Sequence, residues 1–469
     1  MRPDAAPAQG NPLGTAPLGG LIRKFAIPSI IGMLVGAAYN ITDQIFIGQV
    51  VGLLGNAATN VVFPLISLSI ALAQMTGVGT AANFNLSLGA RREDRARAFI
   101  GTGLTLTLIF GLGITLVVLL LETPILLLCG ATETVLPYAQ DYLGIVVYGL
   151  FFQVFTMAAG TIIRADRSPS YAMFSSVIGA VLNVFLDWLF LYPLGWGIRG
   201  AAAATVISQG ISFLVCLAYF PRFKAFSLSR KDLRLRPEVI PAILKLGVSN
   251  FLNHLVMMLV NIAMNNTLTH YGALSIYGSD IPLAVSGVVA KVNMIMVSFA
   301  VGLAHGCQPI LSFNMGAKNY PRVKATYRKA VAVGLVFSFC AFFLFQCFPR
   351  QIISIFGSGD PLYFEFAEDY LRIFMFMVCL FSIQPLSVNY FTSIGAVKQG
   401  IFLSVSRQGF LLLPLLAILP RFLGLDGVLY AGPAADLMAV ILSLAMIRRS
   451  FRRLTALEKE AKETESLPL

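Results

Sequence analysis

The sequence predicts an all-α integral membrane protein with 12 transmembrane helices in two parallel six-helix repeats. Three observations carry that fold class. Of 469 residues, 57% are hydrophobic and only 12% charged, with a mean hydropathy of +0.79; a soluble protein carries about twice that charge. Apolar runs recur from Leu21 to Ile447 between short polar breaks, and each approaches the ~20 residues that cross ~30 Å of hydrocarbon. Lys and Arg concentrate in alternate breaks. Membrane β-barrels would instead show alternating segments of ~10 residues.

The elements follow in order. Residues 1–20, rich in Pro, Gly and Ala, contain no apolar core of a signal peptide and are expected to form a disordered cytoplasmic tail. An N-lobe over 21–220 is expected to hold spans at 21–48, 57–84, 96–121, 137–163, 170–192 and 200–220. Residues 221–239 form the longest basic break (Pro221 to Pro237, PRFKAFSLSRKDLRLRP) and are expected to be a cytoplasmic linker between lobes. A C-lobe over 240–450 follows with spans at 240–270, 281–312, 326–347, 365–394, 398–419 and 426–447, and residues 451–469 make a second cytoplasmic tail. Pro28, Pro64, Pro309, Pro385 and Pro414 fall inside spans, where each removes a backbone hydrogen bond and permits a bend.

Charge placement sets the orientation. The termini and the breaks after even-numbered spans hold 28 of 34 Lys and Arg, whereas the odd-numbered breaks hold only Arg199, Arg350, Arg372 and Arg421. The positive-inside rule places both termini in the cytoplasm of a plasma (bacterial inner) membrane protein. That placement also explains the net charge of +12 without nucleic acid as a partner. The halves echo one another. Leu88-Gly89-Ala90-Arg91 answers Met315-Gly316-Ala317-Lys318, Asn40-Ile41 answers Asn261-Ile262, and Gly197-Ile198-Arg199-Gly200-Ala201 answers Gly424-Leu425-Asp426-Gly427-Val428. Six spans per half make the repeats parallel, an arrangement used by transporters.

Function is read from intramembrane polar residues. Asp43 and Asp187 sit in apolar segments with no basic residue to neutralise them. A bare carboxylate at that depth costs ~2.5 kcal/mol or more, so it is retained where something positive binds. Counting from the span ends puts Asp43, Asp187 and Thr205 in one layer ~7–9 Å below the outer surface. Asn183 and Tyr39 stand one turn from the aspartates, and Gln209 one turn from Thr205. Six oxygen-bearing side chains in one layer suit a small hard cation or a proton. The bland alternative is hydrogen bonding between helices.

In the second half, Lys291 and Asp436 lie at matching depth and are expected to form a structural ion pair, with Arg407 a competitor for Asp436 and a cargo-facing role for Lys291 still open. His270 is expected in an outer loop, and His254 and His305 as packed polar residues. The six cysteines lack CxxC spacing and read as small hydrophobes. No Walker motif, zinc spacing or nucleophile–base arrangement appears, so neither an enzyme nor an ATP-driven pump is expected, nor any cofactor.

Several stretches resemble the multidrug and toxic compound extrusion (MATE) family over roughly residues 20–450. These are Ala26-Ile27-Pro28 and Tyr39 to Gly48 (YNITDQIFIG), Asn183 to Asp187 (NVFLD), and Gly197 to Thr205 (GIRGAAAAT) through Gln209. The second half adds Gly302 to Ile310 (GLAHGCQPI) and Asn314 to Lys318 (NMGAK). The likeness is to the branch with DinF-like and MepA-like bacterial pumps. It implies a V-shaped antiporter that exports cationic, amphipathic drug-like compounds against H+ or Na+. Its N-lobe ion site maps onto Asp43, Asn183, Asp187 and Thr205, which would also be the Na+ ligands under sodium coupling. Tyr39, Asn40, Gln44, Gln209, Lys291 and Asp436 are then second-layer or cargo candidates. A NorM-type pump would add acidic residues in spans 7 and 10; the interiors here offer Asn250, Asn253, His254, Asn261, Ser382 and Gln384. A monomer is expected, with the lipid bilayer as its surroundings. A lipid-linked sugar flippase of the wider superfamily is the alternative, and a gradient-independent receptor or channel-like protein a more distant one.

Overall fold

A computed structural model describes residues 11–229, 231–278, 280–356 and 361–466. Eleven helices among them are long and apolar enough to cross a membrane, and a bent helix pair supplies the twelfth. In order the helices are α1 (Pro12–Thr15), α2 (Leu18–Val50), α3 (Leu53–Gly89), α4 (Glu93–Leu120), α5 (Glu122–Leu128), α6 (Leu136–Ala165), α7 (Pro169–Leu191) and α8 (Gly197–Leu217). The second half contributes α9 (Ile240–Ala273), α10 (Asp280–Gly316), α11 (Tyr320–Cys347), α12 (Pro349–Phe356), α13 (Pro361–Phe374), α14 (Ile383–Ser393), α15 (Val397–Val405), α16 (Leu413–Leu423) and α17 (Leu425–Ser466).

The internal repeat is written in the backbone. Left-handed residues recur at a near-constant offset: Gly52 and Gly278, Arg91 and Lys318, Arg167 and Gly395, Gly197 and Gly424. Arg91 (φ 57°) and Lys318 (φ 56°) both terminate the second helix of their half, so the turn is kept even without glycine. Two short helices absent from the sequence reading, α5 and α12, begin at equivalent points, Glu122 and Pro349.

Prolines explain the departures from straight spans. The expected tenth span is broken: residues 361–380 and 383–393 meet at 42°, with Pro385 in the first turn after the break. In the eleventh, Ser406–Leu412 widens into a π-helical stretch just before Pro414. Pro414 offers no N–H and its ring crowds the carbonyl four residues back, so the preceding turn opens.

The chain divides into two compact units, one over Arg23–His254 and one joining the described residues up to Ile22 to those from Leu255 onward. Both boundaries fall inside helices, α2 and α9, rather than at 220/221 and 239/240. Packing gives the reason. In the first unit Asn83 Nδ2 donates to the Ala242 carbonyl at 3.0 Å. A Cβ on Gly247 would stand 1.8 Å from the Met75 carbonyl oxygen, so only glycine lets α9 lie that close to α3. In the other unit the chain start is held on α10 and α11. Leu13 is fully buried, its carbonyl accepts from Asn314 Nδ2 at 2.9 Å and Arg322 Nε at 3.2 Å, and the Ala16 carbonyl accepts from the Arg322 guanidinium.

The disorder expected of residues 1–20 therefore needs correction. Residues 1–10 lie outside the described residues, but 11–20 are ordered by Leu13 burial and these carbonyl contacts. The acidic end is likewise helical to Ser466, because Lys324 bridges Glu458 at 3.1 Å and Leu454 is buried. Residues 467–469 lie outside the described residues.

Candidate functional site

Three helices of the first unit position the predicted carboxylates. On α7 the buried residues Ser175, Gly179, Asn183, Asp187 and Leu191 recur every fourth position, one continuous stripe of helix surface. On α8 the small residues Ala201, Ala204, Ser208 and Ser212 are buried, and α7 packs along α8, close approach being what small side chains permit. On α2, Asp43 and Ile47 share a buried face one turn apart.

The stripes converge on one polar cluster. Asp43, Asn183 and Asp187 are 7%, 1% and 0% exposed. The two carboxyl groups are within hydrogen-bonding reach of each other, and Gln44 also reaches Asp43. Asn183 Nδ2 approaches Thr205 Oγ1 at 3.5 Å. Among the described residues Asp43 Oδ1, both oxygens of Asp187, Asn183 Oδ1 and Gln209 Oε1 are buried without a hydrogen-bond partner. No salt bridge among the described residues involves either aspartate. Buried oxygens that face one another with no basic side chain among them form a site that a positive charge would compensate. The donor set, two carboxylates with amide and hydroxyl oxygens, fits a proton or a hard monovalent cation.

The remaining predicted residues divide. Tyr39 lies close enough to Asp43 and Asp187 to feel their charge. Gln44 also accepts from Thr59 Oγ1 at 3.2 Å, which ties it to α3. Gln209 fills the space left by Gly149 on α6, where a Cβ would come within 2.5 Å of its Oε1. Asn40 is exposed, donates to the Gly36 carbonyl at 2.8 Å and also reaches the Tyr39 side chain, at the edge of the cluster. Tyr142 on α6, 3% exposed and in the field of Asp43, Tyr39 and Asp187, belongs to the cluster and was missed. It stands six residues into its helix, ~9 Å below the outer end. The depth count that selected the aspartates could have found it.

The second unit corrects the expected ion pair. Asp436 is bridged by Arg407, not by Lys291, with side chains 12% and 15% exposed. Depth is one coordinate only; facing on the helix is the other. The π-helical turn that carries Arg407 packs on α17, which carries Asp436. Lys291 is half-buried and in no ion pair among the described residues. His305 is 7% exposed, His254 half-buried and His270 exposed.

A family model described as MatE matches residues 28–189 and 247–418, once in each half. The chain belongs to the MatE family. It is similar to the probable multidrug resistance protein YoeA of Bacillus subtilis, 26% identical over 89% of this chain and 91% of that protein. It is also similar to the multidrug export protein MepA of Staphylococcus haemolyticus, 25% identical over 92% and 94%. A solved structure described as the outward-facing conformation of a multidrug resistance MATE family transporter of the MOP superfamily superposes with a TM-score of 0.89, at 24% identity, covering 96% of this chain and all of the other. A MOP superfamily transporter from Pyrococcus furiosus, described as having a binding pocket of reverse polarity, superposes at 0.88 with 24% identity, covering 96% and 99%. These structures establish the fold, in which the described residues form no strand, and the family match makes the chain a multi-pass membrane protein of a transporter family.

Proposed function

We propose that this MatE transporter exports amphipathic organic cations by antiport against inward H+ or Na+, with Asp43 and Asp187 as the shared coupling site. The observation that carries the reading is the pair itself. Two buried carboxylates face one another with Asp43 Oδ1 and both Asp187 oxygens unpartnered and, among the described residues, no basic side chain bridging them. Two such charges cannot both persist in a low dielectric without a proton or cation between them. Asn183 and Thr205 complete the oxygen shell, and Tyr39, Tyr142 and Gln209 line it.

The mechanism follows from competition. A proton or Na+ entering from outside removes the repulsion between α2 and α7 and lets them repack. A cationic cargo entering from inside offers the same compensation. Each lowers the other's affinity, and the reciprocity of that effect couples the two fluxes. The basic even-numbered breaks support cytoplasmic termini in this reading, with the chain acting as a monomer in the plasma membrane. The multidrug names of the B. subtilis and S. haemolyticus relatives support the cargo class.

Vesicles loaded with ethidium and containing the purified protein test this. A pH gradient or a Na+ gradient imposed alone drives efflux, and Asp187→Asn abolishes it. Absence of efflux under both gradients sinks the antiport reading and moves the search to lipid-linked cargo.

A further inference from the structure

The segment joining the two halves does not hang free. At its start, the buried Asp166 carboxylate accepts from Tyr219 OH at 2.7 Å and from the backbone N–H groups of Lys224 at 2.6 Å and Ala225 at 2.9 Å. Arg97 donates to the Ser227 carbonyl at 2.9 Å and stacks over Phe226 at 4.4 Å. Further on, Thr105 Oγ1 donates to the Leu233 carbonyl at 2.6 Å, and Arg236 N–H donates to Thr102 Oγ1 at 3.2 Å. Gly101 is what admits this contact, since a Cβ there would stand 1.7 Å from the Asp232 carbonyl oxygen.

These anchors fix the strip in depth. Charge on α4 ends at Arg97. Counting ~20 residues of hydrocarbon back from Leu120 reaches Gly101. The contacts at Gly101, Thr102 and Thr105 therefore hold residues 232–236 level with the edge of the hydrocarbon. There Leu233 and Leu235 are 42% and 39% exposed and alternate with the exposed Arg234 and Arg236, with exposed Lys231 just before. Asp232 is half-exposed, and its carboxylate is engaged within the turn, accepting Ser229 N–H at 2.8 Å, so the strip keeps a basic excess. Apolar and basic side chains alternating at that depth match a lipid surface: leucines meet acyl chains while arginines reach phosphates.

We propose that residues 231–236 form an interfacial membrane anchor that binds anionic phospholipid headgroups through Arg234 and Arg236 and inserts Leu233 and Leu235 below them. The inference is independent of the transport reading.

Two arms test it. Leu235→Trp in a Trp188→Phe/Trp196→Phe background, reconstituted with acyl-brominated lipid, is quenched more by bromines near the headgroup than by deep ones. In the second arm, native mass spectrometry compares phosphatidylglycerol with phosphatidylethanolamine retained by the wild-type chain and by Arg234→Gln/Arg236→Gln. The preference for phosphatidylglycerol falls about fivefold for each arginine removed. The second arm needs no tryptophan variant, so a background that fails to fold leaves the proposal exposed to refutation. An unquenched, water-exposed tryptophan, or a glycerol-lipid preference unchanged in the double variant, overturns it.

Discussion

The two units hold their intramembrane charge in opposite ways. In the unit over Arg23–His254, two acidic groups converge and no basic side chain bridges them. In the unit from Leu255 onward, Asp436 is bridged by Arg407, whose guanidinium also lies over the Phe381 ring at 5.8 Å. One site is neutralised within the chain; the other, under the proposed function, takes its counter-charge from a mobile ion or cargo. A buried pair that already compensates itself contributes to architecture, whereas uncompensated carboxylates are kept for what they bind.

The contrast can be broken experimentally, and the largest effect belongs to the open site. Asp43→Asn should reduce drug efflux to background while leaving expression and thermal stability close to wild type, because it relieves a repulsion. A well-expressed Asp43→Asn strain with full resistance would falsify the assignment. Next in size is Asp436→Asn, which strands Arg407 in a mostly buried position and should cost on the order of 3 kcal/mol. The joint change Arg407→Met/Asp436→Leu should recover most of that loss. Thermal unfolding in detergent separates the two, and equal destabilisation by both would mean the pair does more than neutralise itself.

A smaller effect is expected at the rim of the open site. Gly149→Ala places a methyl 2.5 Å from Gln209 Oε1, the far end of a flexible side chain. The stability cost should stay below about 1 kcal/mol, while the ion dependence of efflux shifts severalfold; an unchanged dependence would remove Gln209 from the site. The smallest is Lys291→Gln, expected within about 0.5 kcal/mol of wild type. A loss as large as that of Asp436→Asn would restore Lys291 as the partner of Asp436.

These residues also show what could be read before the structure. Span number, the repeat and the carboxylate layer follow from hydropathy, charge alternation and 1.5 Å per residue, all one-dimensional quantities. What those quantities lack is the angle around each helix. Lys291 and Asp436 match in depth but not in facing, and Asn40 neighbours Asp43 in sequence yet is exposed where Asp43 is buried. Tyr142 was overlooked for a different reason: its depth was legible, but a tyrosine among many aromatics carries no distinguishing mark. The ordered ends were hidden because Leu13 and Glu458 are held by residues about 300 and 130 positions away, Asn314 and Lys324, contacts that local composition does not report.

Competition of drug and coupling ion for one carboxylate pair would be visible in equilibrium binding. The affinity of purified protein for a fluorescent cation would be measured across pH and Na+ concentration, for wild type and for Asp43→Asn/Asp187→Asn. Wild-type affinity should weaken as pH falls or as Na+ rises, approaching tenfold per pH unit for one exchanged proton, and the double variant should lose this dependence. A double variant that binds the dye with the same pH and Na+ dependence as wild type would contradict it.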